Sequence, residues 1–398
     1  MVVTAAGTLP SIGVPPRAVS DHPEHRLPAL DGVRGVAILV VFLYHSAYYA
    51  HSGWLFSLFS WGWIGVDLFF VLSGFLITSI LLDAIGEPAR YYYGSFYARR
   101  FLRLAPALGV FLVALFYIAP LVGLVTPEET RLLRANQAWY WGYLVNALVA
   151  NNSSFAVTPV GTGSLWSLAV EEQFYLLWPF LVARAATPRR VQLLSIATIV
   201  VSMGACAFAW WMGRGGVATY VLTVTRAAPL GWGALLASLR RGPGSKALTA
   251  RLRFPLVTLG GSLLILCAMM QRNPDWLAWD TAWVQLVGFP GLAVLCTGLV
   301  AYAVDTKSGW LTWRPLTKLG ACSYGLYLWH ATLLVLLRRT THLQGTLFVI
   351  GAAIVCAIPT WLSLVAVERP ALRLKHFFPM SRRRQEVLGL PPDAVRAA

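Results

Sequence analysis

One apolar stretch near the start of the chain constrains the fold more than any other feature. It reads PALDGVRGVAILVVFLYHSAYYA over residues 28–50, which is long enough for one helix across a lipid bilayer. Arg34 stands near its start, and His45 lies deep inside it. Because ten residues separate them, a helix would place both side chains on one face, about 16 Å apart along its axis. A surface cation and a buried imidazole on one face suit a long anionic substrate whose reactive end reaches the bilayer interior.

Apolar stretches of similar length recur along the whole sequence. A bilayer core requires roughly 20 consecutive apolar residues in a helix, and the sequence offers ten such candidates. They cover about 33–50, 62–83, 104–125, 166–184, 191–212, 217–239, 255–271, 280–303, 319–337 and 345–367. The segment 139–150 is too short to span and is predicted to form an interfacial helix. We therefore predict an all-α fold, a polytopic membrane protein with about ten transmembrane helices in one bundle.

The composition agrees with this class. Only 12% of the residues are charged and 57% are hydrophobic, with a mean hydropathy of +0.63, whereas a soluble domain is about 25% charged. The net charge of +16 is spread through short loops between apolar spans, so no nucleic-acid partner is expected. The five cysteines form no CxxC pair and are predicted to be small buried side chains, with no metal site.

The distribution of positive charge predicts the orientation. Ten spans place both termini on one side, and most of the 32 Lys and Arg residues fall on that side. The positive-inside rule makes it cytoplasmic, so we expect a multi-pass protein of the cell (plasma or inner) membrane with both termini in the cytoplasm. Arg338 and Arg339 are exceptions at the opposite end. Residues 1–27 are predicted to be a disordered cytoplasmic tail, 28–370 one membrane domain, and 371–398 a basic cytoplasmic tail.

Two side chains of the first span carry the chemistry that the sequence suggests most directly. His45 titrates near neutral pH and can take a proton from a hydroxyl nucleophile, although a single helical histidine is more often structural. Arg34 presents a planar, permanently charged donor group that suits a phosphate. Their common face favours the catalytic interpretation of His45.

Two further groups surround the second and third spans. Ser73 precedes Gly74, so it either lines a substrate site or belongs to a small-residue helix contact. Arg99, Arg100 and Arg103 form a dense cluster on neighbouring helical turns. This cluster is either a plain cytoplasmic anchor or a site for the phosphates of a nucleotide.

Adjacent carboxylates and two isolated polar residues complete the set. Glu171 and Glu172 lie side by side at a membrane entrance, where unpaired charges are costly. Either one of them orients a histidine, or both form structural ion pairs with the arginines. Arg226 and His330 also lie within predicted spans, and His330 competes with His45 for the catalytic role.

Six short motifs follow one another along the chain. They are Arg34…His45, GVDLFFVLSGFLI at 65–77, RRFLRLAP at 99–106, SLWSLAVEEQFYLLWP at 164–179, SYGLYLWH at 323–330 and VERP at 367–370. Together they resemble the acyltransferase 3 family of integral-membrane O-acyltransferases, from about residue 27 to 370. The resemblance implies about ten helices, a cytoplasmic acyl-CoA donor, and transfer of a short acyl group to a hydroxyl, often on a sugar. It also implies that Arg34 and His45 are essential.

The residues and the resemblance together lead to one set of expected roles. His45 is expected to be the catalytic base, helped by Glu172. Substrate binding is expected from Arg34, Ser73, Arg99, Arg100, Arg103, Glu171, Arg226 and His330. Many members of the family carry an acidic residue two positions after the arginine of the sixth span, where this chain has Ala228. The absence of this acidic residue argues against an ion pair between Arg226 and a carboxylate.

The expected reaction moves a short acyl group, acetyl, from acyl-CoA to a hydroxyl of a sugar-containing acceptor, either an envelope glycan or a macrolide-type product. Acyl-CoA is a donor substrate, and no cofactor or metal is expected. The lipid bilayer is the remaining expected partner. A rival interpretation is a proton-coupled transporter or flippase, in which His45, Glu172 and Arg226 form a proton relay. The shared face of Arg34 and His45 and the arginine cluster favour the enzyme.

The orientation can be tested by cysteine labelling. We expect Lys246→Cys to be protected from a membrane-impermeant maleimide in intact cells and labelled after permeabilisation, because residues 240–254 fall on the positive side. Arg131→Cys, in a loop on the opposite side, is the matched control and should be labelled in intact cells. Labelling of Lys246→Cys without permeabilisation would contradict the ten-span arrangement.

Overall fold

The computed structural model describes residues 27–241, 244–270, 278–307 and 309–380. Within these ranges the regular secondary structure is entirely helical, and no strand is present. The predicted all-α class is therefore confirmed. Most of the two predicted tails, at 1–26 and 381–398, lies outside the described residues.

Within the described residues, ten helices of 17 residues or more form a bundle, one for each predicted span. They are α1 (Pro28–Tyr49), α2 (Gly65–Asp83), α3 (Ser95–Val113), α4 (Trp166–Ala185), α5 (Pro188–Trp211), α6 (Thr223–Leu239), α7 (Ser245–Met270), α8 (Phe289–Asp305), α9 (Ser323–Thr340) and α10 (Gly345–Leu362). Shorter α-helices cover Gly53–Phe59, Ala119–Leu121, Pro127–Ala135, Gln137–Trp141, Val145–Asn152, Val217–Val221, Arg314–Ala321 and Arg369–Arg373.

Seven helical segments of the described chain are long and apolar enough to cross a membrane. An eighth qualifies if Arg314–Ala321 and Ser323–Thr340, which are bent by 73°, form one span. The chain is thus a polytopic helical protein, although fewer segments qualify than the ten predicted. The two long helices that do not qualify are α4 and α6. The helix α6 has only 17 residues, and α4 carries two adjacent glutamates, so both rely on the surrounding bundle.

Two element boundaries differ from the prediction. The third span was expected at about 104–125, but one apolar helical segment runs from Arg90 to Leu121. The arginine cluster therefore lies within a helix, one turn after the start of α3. The segment 139–150 was expected to be a single interfacial helix, but a turn at Tyr143, with φ of 53°, divides it between two short helices.

The helices α2 and α6 cross in direct backbone contact. A Cβ atom on Gly74 would lie 2.0 Å from the carbonyl oxygen of Leu230, and one on Gly233 would lie 1.9 Å from that of Val71. Only glycine fits at either position, so the predicted small-residue contact at Gly74 is confirmed. The helix α1 packs against both α2 and α9. This packing brings the face of α1 that carries Arg34 and His45, called its polar face below, close to these two helices.

Arg338 and Arg339 lie on the side of the bundle that is predicted to carry few positive charges, and both have partners there. Arg339 donates to both carboxylate oxygens of Glu129, at 2.6 and 2.9 Å, and Arg338 donates to a nearby backbone carbonyl at 3.1 Å. Glu129 also closes a capping box with Thr126 at the start of the helix Pro127–Ala135. The hydrogen bonds from Arg339 are the main reason that the pKa of Glu129 lies below its usual range. Arg339 therefore stabilises this loop by ion pairing, and Arg338 contributes a hydrogen bond to the backbone.

The chain folds back over α3 after the last long helix. The helix Arg369–Arg373 continues into a 3₁₀ turn, Leu374–Phe377. Ser95 Oγ at the start of α3 donates to the carbonyl oxygen of Pro379 at 2.7 Å. The first residues of the predicted basic tail, 371–380, are therefore folded against the bundle.

Gly74→Ala is expected to lower the stability of the protein, because the added methyl group must push the backbones of α2 and α6 apart. Overpacking of this kind costs about 1–3 kcal/mol. Gly109→Ala in α3 is the matched control, since open space surrounds its Cβ position. It should be neutral or stabilise by up to about 1 kcal/mol. Melting temperatures in detergent measure both effects, and equal values for the two variants would contradict the backbone contact.

Candidate functional site

A cavity between α1, α2, α3, α4 and α9 brings five of the predicted site residues together. It contains about 720 Å³ of empty space, part of it open to the outside. The five residues are Arg34, Ser73, Arg100, Arg103 and Glu171. The rest of the lining is mostly apolar or aromatic and includes Val66, Phe69, Phe70, Leu76, Leu104, Leu168, Tyr175, Tyr324 and Tyr327. Its size and lining are typical of a small-molecule site.

Three arginines make one end of the cavity strongly positive. This arginine end is formed by Arg34, Arg100 and Arg103. Arg34 donates to Asp31 Oδ1 at 3.0 Å, one turn earlier on α1, and the Arg100 guanidinium lies 4.6 Å from the centre of the Tyr175 ring. Both contacts orient a guanidinium without removing its charge. The arginine end is therefore suited to an anion with several acidic groups.

A hydrogen bond between α2 and α4 forms part of the cavity wall. Ser73 Oγ donates to Glu171 Oε1 at 2.5 Å, while the neighbouring Gly74 packs against α6. Both alternatives predicted for Ser73 and Gly74 therefore apply, since Ser73 lines the cavity and Gly74 makes the helix contact. Among the described residues, Glu171 forms no ion pair with an arginine. It remains available to accept a hydrogen bond from a ligand.

His45 and His330 face each other across the interface of α1 and α9. His45 Nδ1 lies 2.9 Å from the carbonyl oxygen of Val41 and 3.4 Å from His330 Nε2. His330 Nδ1 lies 2.7 Å from the carbonyl oxygen of Tyr327. Because a carbonyl oxygen only accepts, we assign the proton of each neutral ring to Nδ1. His330 Nε2 then accepts from His45, and His45 Nε2 keeps a lone pair that can take a proton.

Tyr327 lies between the cavity and the histidines. Its ring lines the cavity, and the centres of the Tyr327 and His330 rings are 5.5 Å apart. Its hydroxyl donates to the carbonyl oxygen of Ser164 at 2.8 Å and also contacts Ser167 Oγ. Arg34 thus lies in the cavity, whereas His45 lies on the far side of this tyrosine. The polar face of α1 connects the two places.

Glu172 and Arg99 also lie outside the cavity lining. Glu172 Oε1 is buried and has no hydrogen-bond partner within the described ranges, and the described partners of His45 are Val41 and His330. The role predicted for Glu172 therefore stays a prediction. Arg99 donates to the carbonyl oxygen of Phe378, in the folded C-terminal segment, at 3.4 Å.

Arg226 is buried in an ion pair with Asp67. The distance from Arg226 Nη2 to Asp67 Oδ2 is 2.9 Å, and the two side chains are 1% and 0% exposed. Four aromatic rings surround the guanidinium, with centres 4.1–5.8 Å away, and they belong to Phe70, Trp166, Tyr220 and Phe289. The sequence argued against a carboxylate partner because Ala228 stands where many family members carry an acidic residue. The partner comes instead from α2.

Three side chains of the site were missed by the sequence analysis. Asp31 lies one helical turn before Arg34, and Tyr327 lies one turn before His330, so helical spacing could have found both. Tyr175, one turn after Glu171, could have been found in the same way. The contact between His45 and His330 has no such signal, since it depends on how α1 and α9 are rotated. Among the described residues, no group of three or more His, Cys, Asp or Glu side chains could hold a metal ion.

These features define a class of protein. It is a polytopic helical membrane protein in which a cavity with a positive end lies beside a pair of histidines. A family profile described as an acyltransferase domain matches residues 27–368 of the chain. The chain belongs to the acyltransferase 3 family, as the six motifs predicted.

Curated relatives agree with this assignment. The chain is 31% identical to the protein YrhL of Bacillus subtilis over 378 residues, which cover 90% of this chain and 57% of the relative. It is 30% identical over 329 residues to the peptidoglycan O-acetyltransferase OatA of Listeria monocytogenes, covering 78% and 50%. For the O-acetyltransferase OatA of Staphylococcus aureus the identity is 29% over 337 residues, covering 80% and 52%. The chain spans about half the length of these relatives. No solved structure matches it.

The pair of Asp67 and Arg226 is expected to be structural. Asp67→Asn should destabilise the protein by about 3–5 kcal/mol, because it leaves the Arg226 charge buried without a counterion. The double variant Asp67→Leu/Arg226→Met should recover most of this loss, since replacing both ions by apolar groups is often neutral. Melting temperatures of the single and double variants measure the effect.

The same variants test the assignment of Arg226 to substrate binding. If Arg226 only forms a structural pair, the double variant keeps the activity of the unsubstituted protein. If Arg226 binds substrate, the double variant is stable but inactive. A double variant less stable than Asp67→Asn would contradict the structural role of the pair.

Proposed function

We propose that this protein is a membrane O-acetyltransferase that moves an acetyl group from acetyl-CoA to a hydroxyl of an envelope glycan. The observation that carries the proposal is the polar face of α1, with Arg34 in the cavity and His45 beside His330. The named activity of the Listeria and Staphylococcus relatives supports acetyl transfer, and the Listeria name supports peptidoglycan as the acceptor class. A macrolide-type product is the alternative acceptor.

The arginine end is proposed to bind the phosphates of the donor. Arg34, Arg100 and Arg103 line it, and Arg99 lies on the same turn of α3 as Arg100. Guanidinium groups bind phosphates through paired, charge-assisted hydrogen bonds. The positive-inside rule assigns this end to the cytoplasm, where acyl-CoA is available. The wall formed by Ser73 and Glu171 then faces the pantetheine arm, whose amide groups can donate to the carboxylate.

His45 is proposed to act as the general base. In the proposed step, His45 Nε2 takes the proton of the acceptor hydroxyl while its oxygen attacks the thioester carbonyl. The tetrahedral intermediate collapses as the C–S bond breaks, and the protonated His45 returns the proton to the departing thiolate. The products are the acetyl ester and CoA, and no covalent enzyme intermediate is required. The donor must pass or displace the Tyr327 ring to bring its thioester to His45.

His330 is proposed to position His45. Because His330 Nε2 accepts from His45 Nδ1–H, together with the Val41 carbonyl, it fixes the tautomer in which Nε2 is the free base. In this arrangement His330 does the work that the sequence analysis assigned to a glutamate. A direct catalytic role for His330 is less favoured, since it is fully buried.

The transporter interpretation finds less support in the arrangement of charges. A proton relay requires groups linked by hydrogen bonds, whereas Arg226 is paired with Asp67, and His45 is hydrogen-bonded to His330 and a backbone carbonyl. A relay through His45, Glu172 and Arg226 would therefore need a rearranged bundle.

Direct assay with labelled donor tests the proposed function. The purified protein in nanodiscs is incubated with acetyl-labelled acetyl-CoA and with peptidoglycan glycan strands, a macrolide, or no acceptor. We expect label in the glycan product and release of free CoA. Label in the macrolide alone would contradict the glycan acceptor, and no transfer to any acceptor would contradict the enzyme.

His45→Ala is expected to lower kcat by at least about 10²-fold, since a general base contributes 10²–10⁴-fold. His330→Ala should lower kcat less, because His45 Nδ1 keeps its hydrogen bond to Val41. His342→Ala is the matched control, since this histidine is exposed and outside the site. Steady-state kinetics at equal protein levels measure all three. Near-normal turnover of His45→Ala with an inactive His330→Ala would transfer the catalytic role to His330.

A further inference from the structure

The folded C-terminal segment, residues 369–380, packs against α3, the helix that supplies Arg100 and Arg103 to the arginine end. It is fixed to α3 by the hydrogen bond from Ser95 to Pro379 and by that from Arg99 to Phe378. Met380 packs against the central hydrophobic core. The segment therefore has a defined position beside the helix that carries two arginines of the proposed anion site.

This segment brings another cation, Lys375, to the helix that carries the arginines. Lys375 is partly buried, and the 3₁₀ turn that carries it packs against α3, the helix of Arg99, Arg100 and Arg103. The charges of these three arginines and of Arg34 repel its ammonium group. These five residues are called the basic cluster below. Sequence analysis had placed Lys375 only in a basic cytoplasmic tail.

Three members of the basic cluster, Arg100, Arg103 and Lys375, form no ion pair with a carboxylate among the described residues. Asp31 pairs with Arg34, but Glu171 accepts from Ser73 and Glu368 accepts from Ser363 at 3.1 Å. In the part of the chain that the structure describes, Lys375 forms no ion pair with a carboxylate within 4 Å. Like charges brought together and partly removed from water destabilise the folded chain. A bound polyanion would offset this repulsion.

We propose that Lys375 is a donor-binding residue, and that the segment 369–380 completes the phosphate site of acyl-CoA by presenting it. The proposal rests on the proposed function. The donor carries a diphosphate and a ribose phosphate, so it offers several acidic groups to several cations at once. An ammonium group binds phosphate as a compact point charge and complements the fixed geometry of the arginines. Anionic lipid headgroups share this phosphate chemistry and are the other possible source of the anion.

Binding measurements in nanodiscs test this proposal. The affinities of CoA, dephospho-CoA and pantetheine are compared for the full chain, Lys375→Met, Lys375→Arg and Arg373→Met. Arg373 is the matched control, because it lies on the same segment but is exposed. We expect Lys375→Met to weaken CoA binding roughly tenfold and to leave pantetheine binding unchanged. Lys375→Arg should restore most of the affinity, and Arg373→Met should change it less than about twofold.

The outcomes separate this inference from the proposed function. If the unsubstituted chain binds CoA and transfers acetyl, but Lys375→Met binds CoA equally well, only the inference on Lys375 is overturned. If the unsubstituted chain neither binds CoA nor transfers acetyl, the proposed function fails. Nanodiscs of neutral phosphatidylcholine and of phosphatidylglycerol distinguish the two anion sources. An effect of Lys375→Met that appears only with phosphatidylglycerol would assign the site to lipid and overturn the donor role.

Melting temperatures provide the control for folding. Lys375→Met should be as stable as the unsubstituted chain or more stable without ligand, since it removes a repelled charge. CoA should raise the melting temperature of the unsubstituted chain more than that of Lys375→Met. An equal increase for both would also overturn the inference.

Discussion

The structure depends on satisfying charged and polar groups inside an apolar bundle. A charge in a membrane is tolerated when a partner neutralises it or when water or a ligand reaches it. Arg226 meets the first condition through Asp67, in a shell of aromatic rings. The arginine end of the cavity meets the second, because its guanidinium groups line open space. This division separates the structural charge from the charges available for binding.

Close helix packing positions the residues that are available for binding. The backbone contact of α2 with α6, at Gly74 and Gly233, fixes the face of α2 that carries Ser73. The helix α1 packs against α2 and α9, so Arg34 enters the cavity and His45 meets His330. The chemistry proposed for His45 depends on this arrangement, since the partner that sets its tautomer comes from another helix. A small shift between α1 and α9 would remove that hydrogen bond.

The arginines at the two ends of the bundle serve different purposes. At the end that is predicted to carry few Lys and Arg residues, Arg339 pairs with Glu129, and the pair stabilises a capped loop. At the arginine end, cations exceed their carboxylate partners, which favours an anionic ligand there. The identity of a basic residue therefore says little without its partners. Lys375 illustrates this point, because its position among four arginines is what distinguishes it from the other basic residues of the tail.

The sequence by itself determined the helical class, the ten long helices, the common face of Arg34 and His45, and the family. These properties follow from local periodicity, hydropathy and short motifs, which a single chain displays without its contacts. Only the tertiary structure decided that His330 meets His45, that Asp67 pairs with Arg226, and that Lys375 joins the basic cluster. Each of these contacts joins segments far apart in sequence, and their formation depends on which helices pair and how each is rotated.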